Sequence, residues 1–213
     1  MSLESERRGL TPPDRRDTPG GSLGGVAMSS EDPFALFITW TTYGTWLPGD
    51  TRGYVSNTLL PGGGWRPKEN RPGTPYTADD AFTRERAQEL QKWPTVWLTV
   101  AEATTVAHSR VRAARERGWR IVRGAIMANH VHVVIADCPD DGPGVRRILK
   151  GNSQADLSDA AGATRRSWTQ CGSDRYLHDD RSIEGAIQYV AQQKGKLAEI
   201  IDMEVVPRAS GGA

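Results

Sequence analysis

The sequence predicts an α+β domain: one antiparallel sheet that carries its helices, closed by a further helix. Three observations lead there. Runs of β-branched and aromatic residues alternate with stretches whose apolar residues recur every three or four positions. Two of the strand-like runs are separated by only Ala128-Asn129, which reads as a hairpin. Once a Gly/Pro-rich insert is set aside, the order is strand, helix, strand, strand, helix, strand, helix.

Each element has its own warrant. Residues 1–33 hold Arg, Asp, Glu, Gly, Ser and Pro with hardly a large apolar side chain, so burial cannot offset the entropy of ordering them and a disordered tail is expected. Met28 offers an alternative start. The domain then spans 34–206, with a flexible tail at 207–213. Phe34 to Tyr43 is a strand by composition, ended by Gly44. Residues 48–76 form a long Gly/Pro-rich insert loop.

Thr77 to about Lys92 reads as a helix stopped by Pro94. Thr99-Val-Ala-Glu102 is a capping box for a second helix, whose stripe runs through Ala103, Val106, Ala107, Val111 and Ala114 to a stop at Gly118. Trp119–Met127 and His130–Asp137 are the hairpin strands. Pro143 to about Ala160 is helical, Ser167–Leu177 is a short strand, and Ser182 to about Ile201 is a final helix with Ile183, Ala186, Ile187 and Val190 inward. This β-α-β-β-α-β order is the split βαβ of ferredoxin-like (RRM-like) domains, with the helices on one face and an extra C-terminal helix.

Composition narrows the classes. The chain has 213 residues, 37% of them hydrophobic, enough for one domain with a core. The longest run without charge is too short for the roughly 20 apolar residues of a membrane span. Arg7, Arg8, Arg15 and Arg16 precede no apolar run, so no signal peptide is expected. Cys138 and Cys171 make neither a disulfide framework nor a CxxC pair. A soluble, cytoplasmic protein is the expectation. The net charge of +1 conceals a basic stretch, because residues 110–123 hold six arginines and one glutamate.

Two patterns carry chemistry. His130-Val131-His132 places two imidazoles on one strand face, spaced to share a divalent cation, although two histidines on a polar face read equally well. Tyr189 and Gln193 stand four apart on the last helix, at the edge of its apolar stripe, where a phenol is a candidate nucleophile and an amide carbonyl a candidate oxygen ligand; an interfacial Tyr beside a solvated Gln is the plainer reading. Candidate phosphate contacts are Arg120 and Arg123 after the second helix, Arg146, Arg147 and Lys150 on the next, and Arg52, Arg66, Lys68 and Arg71 in the insert; a solvated helix face is the alternative. Of the seven tryptophans, which could stack on bases, Trp46 and Trp65 are expected to be the exposed ones.

Met127-Ala-Asn-His-Val-His-Val-Val-Ile135 resembles the MxNHVHhhh signature of single-tyrosine HUH transposases. That family includes the REP-associated tyrosine transposases and the insertion-sequence transposases that move as single-stranded DNA. Ile38-Thr-Trp-Thr-Thr-Tyr-Gly-Thr-Trp-Leu-Pro-Gly-Asp50 is similar to the opening strand of a REP-associated branch. Ser167-Trp-Thr-Gln170 and Ser182-Ile-Glu-Gly-Ala-Ile-Gln-Tyr-Val190 are similar to its last strand and catalytic helix. The likeness runs over residues 34–201 in order.

The resemblance implies His130 and His132 as metal ligands, Tyr189 as nucleophile and Gln193 as third ligand. It implies Mg2+ or Mn2+ as the metal, a covalent 5′-phosphotyrosine intermediate, single-stranded or hairpin DNA as the partner, and a nucleoid-associated enzyme that nicks and transfers strands. Lys150 matches a basic position of the family's corresponding helix, and members occur as homodimers and as monomers. One departure stands out. Many REP-associated members read Tyr-Ile-x-x-Asn-Pro, whereas this chain reads Tyr189-Val-Ala-Gln-Gln193-Lys194-Gly195. The competing readings are a non-catalytic nucleic-acid-binding module of the same fold and a metal-dependent hydrolase without a covalent step. The latter needs further carboxylate ligands, and none clusters near His130 in sequence.

Overall fold

The computed structural model describes residues 34–55, 57–60, 62–67 and 75–207. The expected tail at 1–33, the last six residues, and Lys68 and Arg71 lie outside them, as do the side chains of Trp65 and Arg66.

Strand β1 (Ala35–Thr41) is followed by a two-residue pair, β2 (Thr58–Leu59) and β3 (Trp65–Arg66), inside the expected insert. Helices α1 (Ala81–Glu89) and α2 (Val100–Arg117) lead to β4 (Arg120–Met127) and β5 (His130–Ala136). Then come α3 (Gly142–Ala161), β6 (Ser173–Leu177), α4 (Asp180–Ala191), β7 (Lys196–Ile201) and β8 (Glu204–Pro207). Among the described residues there are four helices and one six-stranded sheet, ordered β6-β1-β5-β4-β7-β8, with every neighbouring pair antiparallel.

The local chemistry places most boundaries where the sequence puts them. Thr99 Oγ1 accepts from the Glu102 N–H while the Glu102 carboxylate accepts from the Thr99 N–H, so the capping box that opens α2 is made on both sides. Gly118 ends that helix in the left-handed conformation, φ 73°. The insert is held to α1 by a close approach at Gly49, where a Cβ would stand 2.4 Å from the backbone of Asp80 and Arg84.

Four expectations need correction. The first helix covers 81–89 rather than 77–92, and Asp80 caps it with its side chain. The expected strand 167–177 is strand only over 173–177, preceded by a single bridge between Thr42 and Trp168. The final helix stops at Ala191, not near Ile201. Gly195 turns the chain at φ 71°, and Lys196–Ile201 pairs with β4 instead, burying Ala198 and Ile200. A turn at Asp202-Met203 then starts β8, so Pro207 belongs to a strand and not to a tail.

Alternation along the strands sends residues to two faces. Leu36, Ile38 and Trp40 of β1 and Val131, Val133 and Ile135 of β5 pack with Val106 and Val111 of α2 and Val145, Leu149 and Leu157 of α3. Ala35, Val134, Met127 and Leu177 face the other way, toward Ala186 and Val190 of α4, with Phe37, Ile183 and Ile187 at the margin. The two long helices therefore share one face as expected, and α4 lies on the opposite one.

Candidate active site

His130 and His132 are two apart on β5, so their side chains fall on the α4 face. The register sets Thr41 opposite His130 and Thr39 opposite His132. The imidazole centroids are 4.9 Å apart, with planes at 82°. Helix α4 crosses above them on its apolar stripe, which brings Tyr189 against His132, 5.3 Å between centroids at 78°. Phe37 completes the cluster, 5.6 Å from His132 and 5.9 Å from Tyr189. His132 is buried at 6% exposure, whereas Tyr189 is half exposed, so the phenol can be reached from solvent while the imidazole below it is sheltered.

The outer contacts orient both rings. Nδ1 of His130 lies 2.6 Å from Asn129 Oδ1. A carboxamide oxygen only accepts, so Nδ1 carries the proton and Nε2 presents its lone pair. Nδ1 of His132 lies 2.8 Å from Thr39 Oγ1, a hydroxyl that can donate or accept; in the tautomer in which Nδ1 donates, its Nε2 also presents a lone pair. Such partners fix the tautomer of a metal-ligating histidine. Burial, with the Arg52 guanidinium nearby, holds His130 below the ordinary imidazole range. Burial, with His130 beside it, lowers His132 to about 4. Both rings are therefore neutral at physiological pH, the state a metal requires.

Gln193 is placed differently from the expectation. Because α4 ends at Ala191, Gln193 is not one helical turn beyond Tyr189 on a continuous stripe. Its Nε2 instead donates back to the Tyr189 carbonyl at 3.1 Å, which leaves Oε1 with no partner among the described residues. Gln192 is the C-cap, and its backbone N–H donates to Gln188 O. Among the described residues no group of three or more His, Cys, Asp or Glu is arranged to hold a metal ion. The donor set that the residues present fits is thus two imidazole Nε2 atoms and, at most, one amide oxygen. That leaves room for water and phosphate oxygens around a Mg2+ or Mn2+ ion, and suits those ions less selectively than a carboxylate site would.

The expected DNA contacts divide into two groups. Arg120 pairs with Asp202 at 2.8 Å and Arg123 with Glu199 at 2.7 Å, both carboxylates of the β7–β8 hairpin. Arg112 Nη2 donates to both carboxylate oxygens of Asp156, and Arg110 is wholly buried against the rings of Trp40 and Trp168. The basic stretch 110–123 is therefore largely engaged within the fold. Arg52 pairs with Asp50 and donates to the Thr45 carbonyl, and Thr45 Oγ1 in turn donates to Asn129 O, which ties the insert to the residue before His130.

On α3, Arg146 pairs with Asp174, and Lys150 directs its ammonium at the carbonyls of Thr169, Gln170 and Cys171. Arg147 is exposed. Sequence reasoning missed Phe37, Thr39 and Asn129, although strand pairing opposite His132 and adjacency to His130 mark the last two. It also misjudged Trp46, which is half-buried with its Nε1 donating to Gly53 O, whereas Trp93 and Trp97 are exposed; the side chain of Trp65 lies outside the described residues.

No protein-family model and no curated protein matches the chain. A solved structure does. It is that of a REP-associated tyrosine transposase bound to a REP hairpin, 12% identical, with a TM-score of 0.39. The match covers 75% of this chain and 65% of that one. So distant a likeness decides nothing about chemistry, which rests on the side chains described above.

Proposed function

We propose that the protein is a metal-dependent, single-strand DNA nickase and strand transferase of the HUH single-tyrosine type, working through a covalent 5′-phosphotyrosine. The observation that supports this best is the meeting of a half-exposed tyrosine, Tyr189, with two adjacent imidazoles whose Nδ1 atoms face Asn129 and Thr39. The strand order β6-β1-β5-β4, which is fourth, first, third and second when these four strands are counted along the chain, suits a ferredoxin-like frame with α4 as the added helix.

His130 and His132, with Gln193 Oε1 as the candidate third donor, would hold a divalent ion, which when bound supplies charge neutralisation and polarisation of the scissile phosphate. The chain's own residues do the rest. Thr39 and Asn129 hold the imidazole tautomers, and Phe37 shelters the His132 ring from water. Tyr189 Oη attacks phosphorus and releases its proton to solvent. The new Tyr–O–P bond replaces the bond to the 3′ oxygen, which takes up a proton from solvent and leaves as a 3′-hydroxyl. The phosphodiester's energy is kept in the phosphotyrosine for rejoining, so no nucleotide cofactor is needed.

The test is a denaturing protein gel after incubation with labelled single-stranded oligonucleotides from the flanking DNA and Mg2+ or Mn2+. A covalent adduct that disappears with Tyr189→Phe and with chelator is the expected result. Identical behaviour of wild type and Tyr189→Phe rejects the nucleophile, and persistence in chelator rejects the metal. An adduct-free protein that still binds the same oligonucleotides is the non-catalytic binding module instead.

A further inference from the structure

Two clefts that share part of their lining lie outside the imidazole–phenol cluster. The larger, of about 630 Å3, lies between the first half of α3 and residues 164–170. Its wall carries Arg146, Arg147, Lys150, Arg165 and Arg166 with the ring of Trp93, and not one carboxylate. The smaller, of about 410 Å3, includes Tyr43 and Trp46 and shares Arg166, Thr169 and Gln170 with the first.

The five cations are not equivalent. Arg146 is paired with Asp174, Arg165 with Glu102, and the Lys150 ammonium is committed to three carbonyls. Arg147 and Arg166 make no ion pair among the described residues; Arg166 rests over the Tyr43 ring at 5.6 Å. Both are exposed, as is Trp93 at 44%. Two guanidiniums without an ion pair among the described residues, beside the exposed Trp93 ring and the half-buried Tyr43 ring, in a concavity within the roughly 300–1,000 Å3 range of small-ligand pockets, suit a nucleotide with its base unstacked. They do not suit the flank of a duplex, whose base faces are hidden.

The position also fits. The Thr169 N–H donates to Thr41 O at 3.2 Å, and Thr41 Oγ1 donates to Thr169 Oγ1 at 3.2 Å. Thr41 is the cross-strand partner of His130. The floor of both clefts is therefore bonded to the strand residue opposite the first imidazole.

We infer that this double cleft holds the single-stranded DNA flanking the scissile phosphate, with phosphates on Arg147 and Arg166 and one base on Trp93. The inference rests on the nicking reading for the identity of the strand. Lys150 is then a positioning residue: it braces the 169–171 backbone that forms the cleft floor and does not itself bind phosphate.

The experiment uses the full chain carrying Tyr189→Phe, so that no covalent product forms, and fluorescein-labelled dT20 in anisotropy titrations across a salt series. Arg147→Ala combined with Arg166→Ala should weaken binding at least tenfold. It should also lower the slope of log affinity against log salt by about 1.4, two phosphates at about 0.7 each. Trp93→Ala should weaken binding at least fivefold without changing the slope. Arg147→Lys with Arg166→Lys should keep the slope, which separates lost charge from lost fold.

The inference is overturned if the parent chain does not bind dT20, if the double alanine variant binds as the parent does, or if polyglutamate of equal length competes as well as dT20. Adduct formation with Tyr189 restored is read separately. An adduct alongside unchanged binding in the double variant rejects the cleft and keeps the nicking reading. No adduct alongside the losses above rejects the nicking reading and keeps the cleft as a single-strand site.

Discussion

The Tyr189 ring meets His132 edge to face at 5.3 Å, although one sits on α4 and the other on β5. The contact uses the ring and leaves half of the tyrosine in solvent. Tyr189→Phe should therefore keep the packing and remove only the oxygen. The expected outcome is complete loss of covalent adduct, with unfolding free energy within about 0.5 kcal/mol of wild type, since no buried hydrogen bond is broken. A denaturing gel and a urea titration check the two halves.

Thr39→Val is nearly isosteric and removes the hydroxyl that faces Nδ1 of His132. The ring then loses its tautomer anchor while both candidate ligands remain. Affinity for Mn2+ should fall about 10- to 100-fold. Isothermal titration with Mn2+ measures it, and unchanged affinity would sink the orienting role.

Acid should destabilise the metal-free protein through the same residue. His132 is held at about 4 in the fold against 6.5 for an ordinary imidazole. Between those values the unfolded chain takes up a proton that the folded chain does not. This contribution to stability is therefore whole above about pH 6.5, falls as pH drops, and levels off below about 4. Melting temperatures across that window should fall less steeply for His132→Gln than for wild type.

Arg110 is fully buried, with one hydrogen bond, to Val106 O, and two indole faces around it; its Nε and Nη2 have no partner among the described residues. Burial pushes its pKa down to about 9, so it stays cationic at neutral pH. A buried charge so sparsely bonded adds little net stability. Arg110→Met should change unfolding free energy by less than about 1.5 kcal/mol, whereas Arg110→Ala should cost about 2–4 kcal/mol through the cavity it opens. Urea denaturation distinguishes the two.

Gly195 turns the chain from α4 into β7 at φ 71°. Nothing lies within 4 Å of an added Cβ, so the penalty for Gly195→Ala is conformational alone. It should be about 1–2 kcal/mol, read by thermal unfolding.

The imidazole pair was legible because strand parity needs only two residues and no knowledge of the rest of the chain. Tyr189 was legible because Ile183, Ala186, Ile187 and Val190 mark the helix face beside it. The end of that helix was not. Lys196-Leu-Ala-Glu-Ile-Ile201 contains good helix formers, and only pairing with β4, many residues away, makes it a strand. The misreading carried further consequences. Gln193 lost its place on the helix, and the carboxylates that occupy Arg120 and Arg123 lie in the hairpin that the helix reading concealed. The cleft cations were harder still. Arg147 and Arg166 come together only through the packing of α3 against the chain before β6, which leaves no trace in local spacing.

The two halves of the candidate site are built by different rules, and so they fail separately. The imidazoles are locked to one another by a single strand; no repacking that preserves β5 can pull them apart. The phenol reaches them only because a helix with a small apolar patch is seated on that strand's face. Damage to the patch, such as Ala186→Asp, would separate the candidate nucleophile from an intact imidazole pair. A lineage that gave up strand cutting could lose the seat of α4 first and still carry the full His130-Val131-His132 signature, so that tripeptide on its own is a poor certificate of activity.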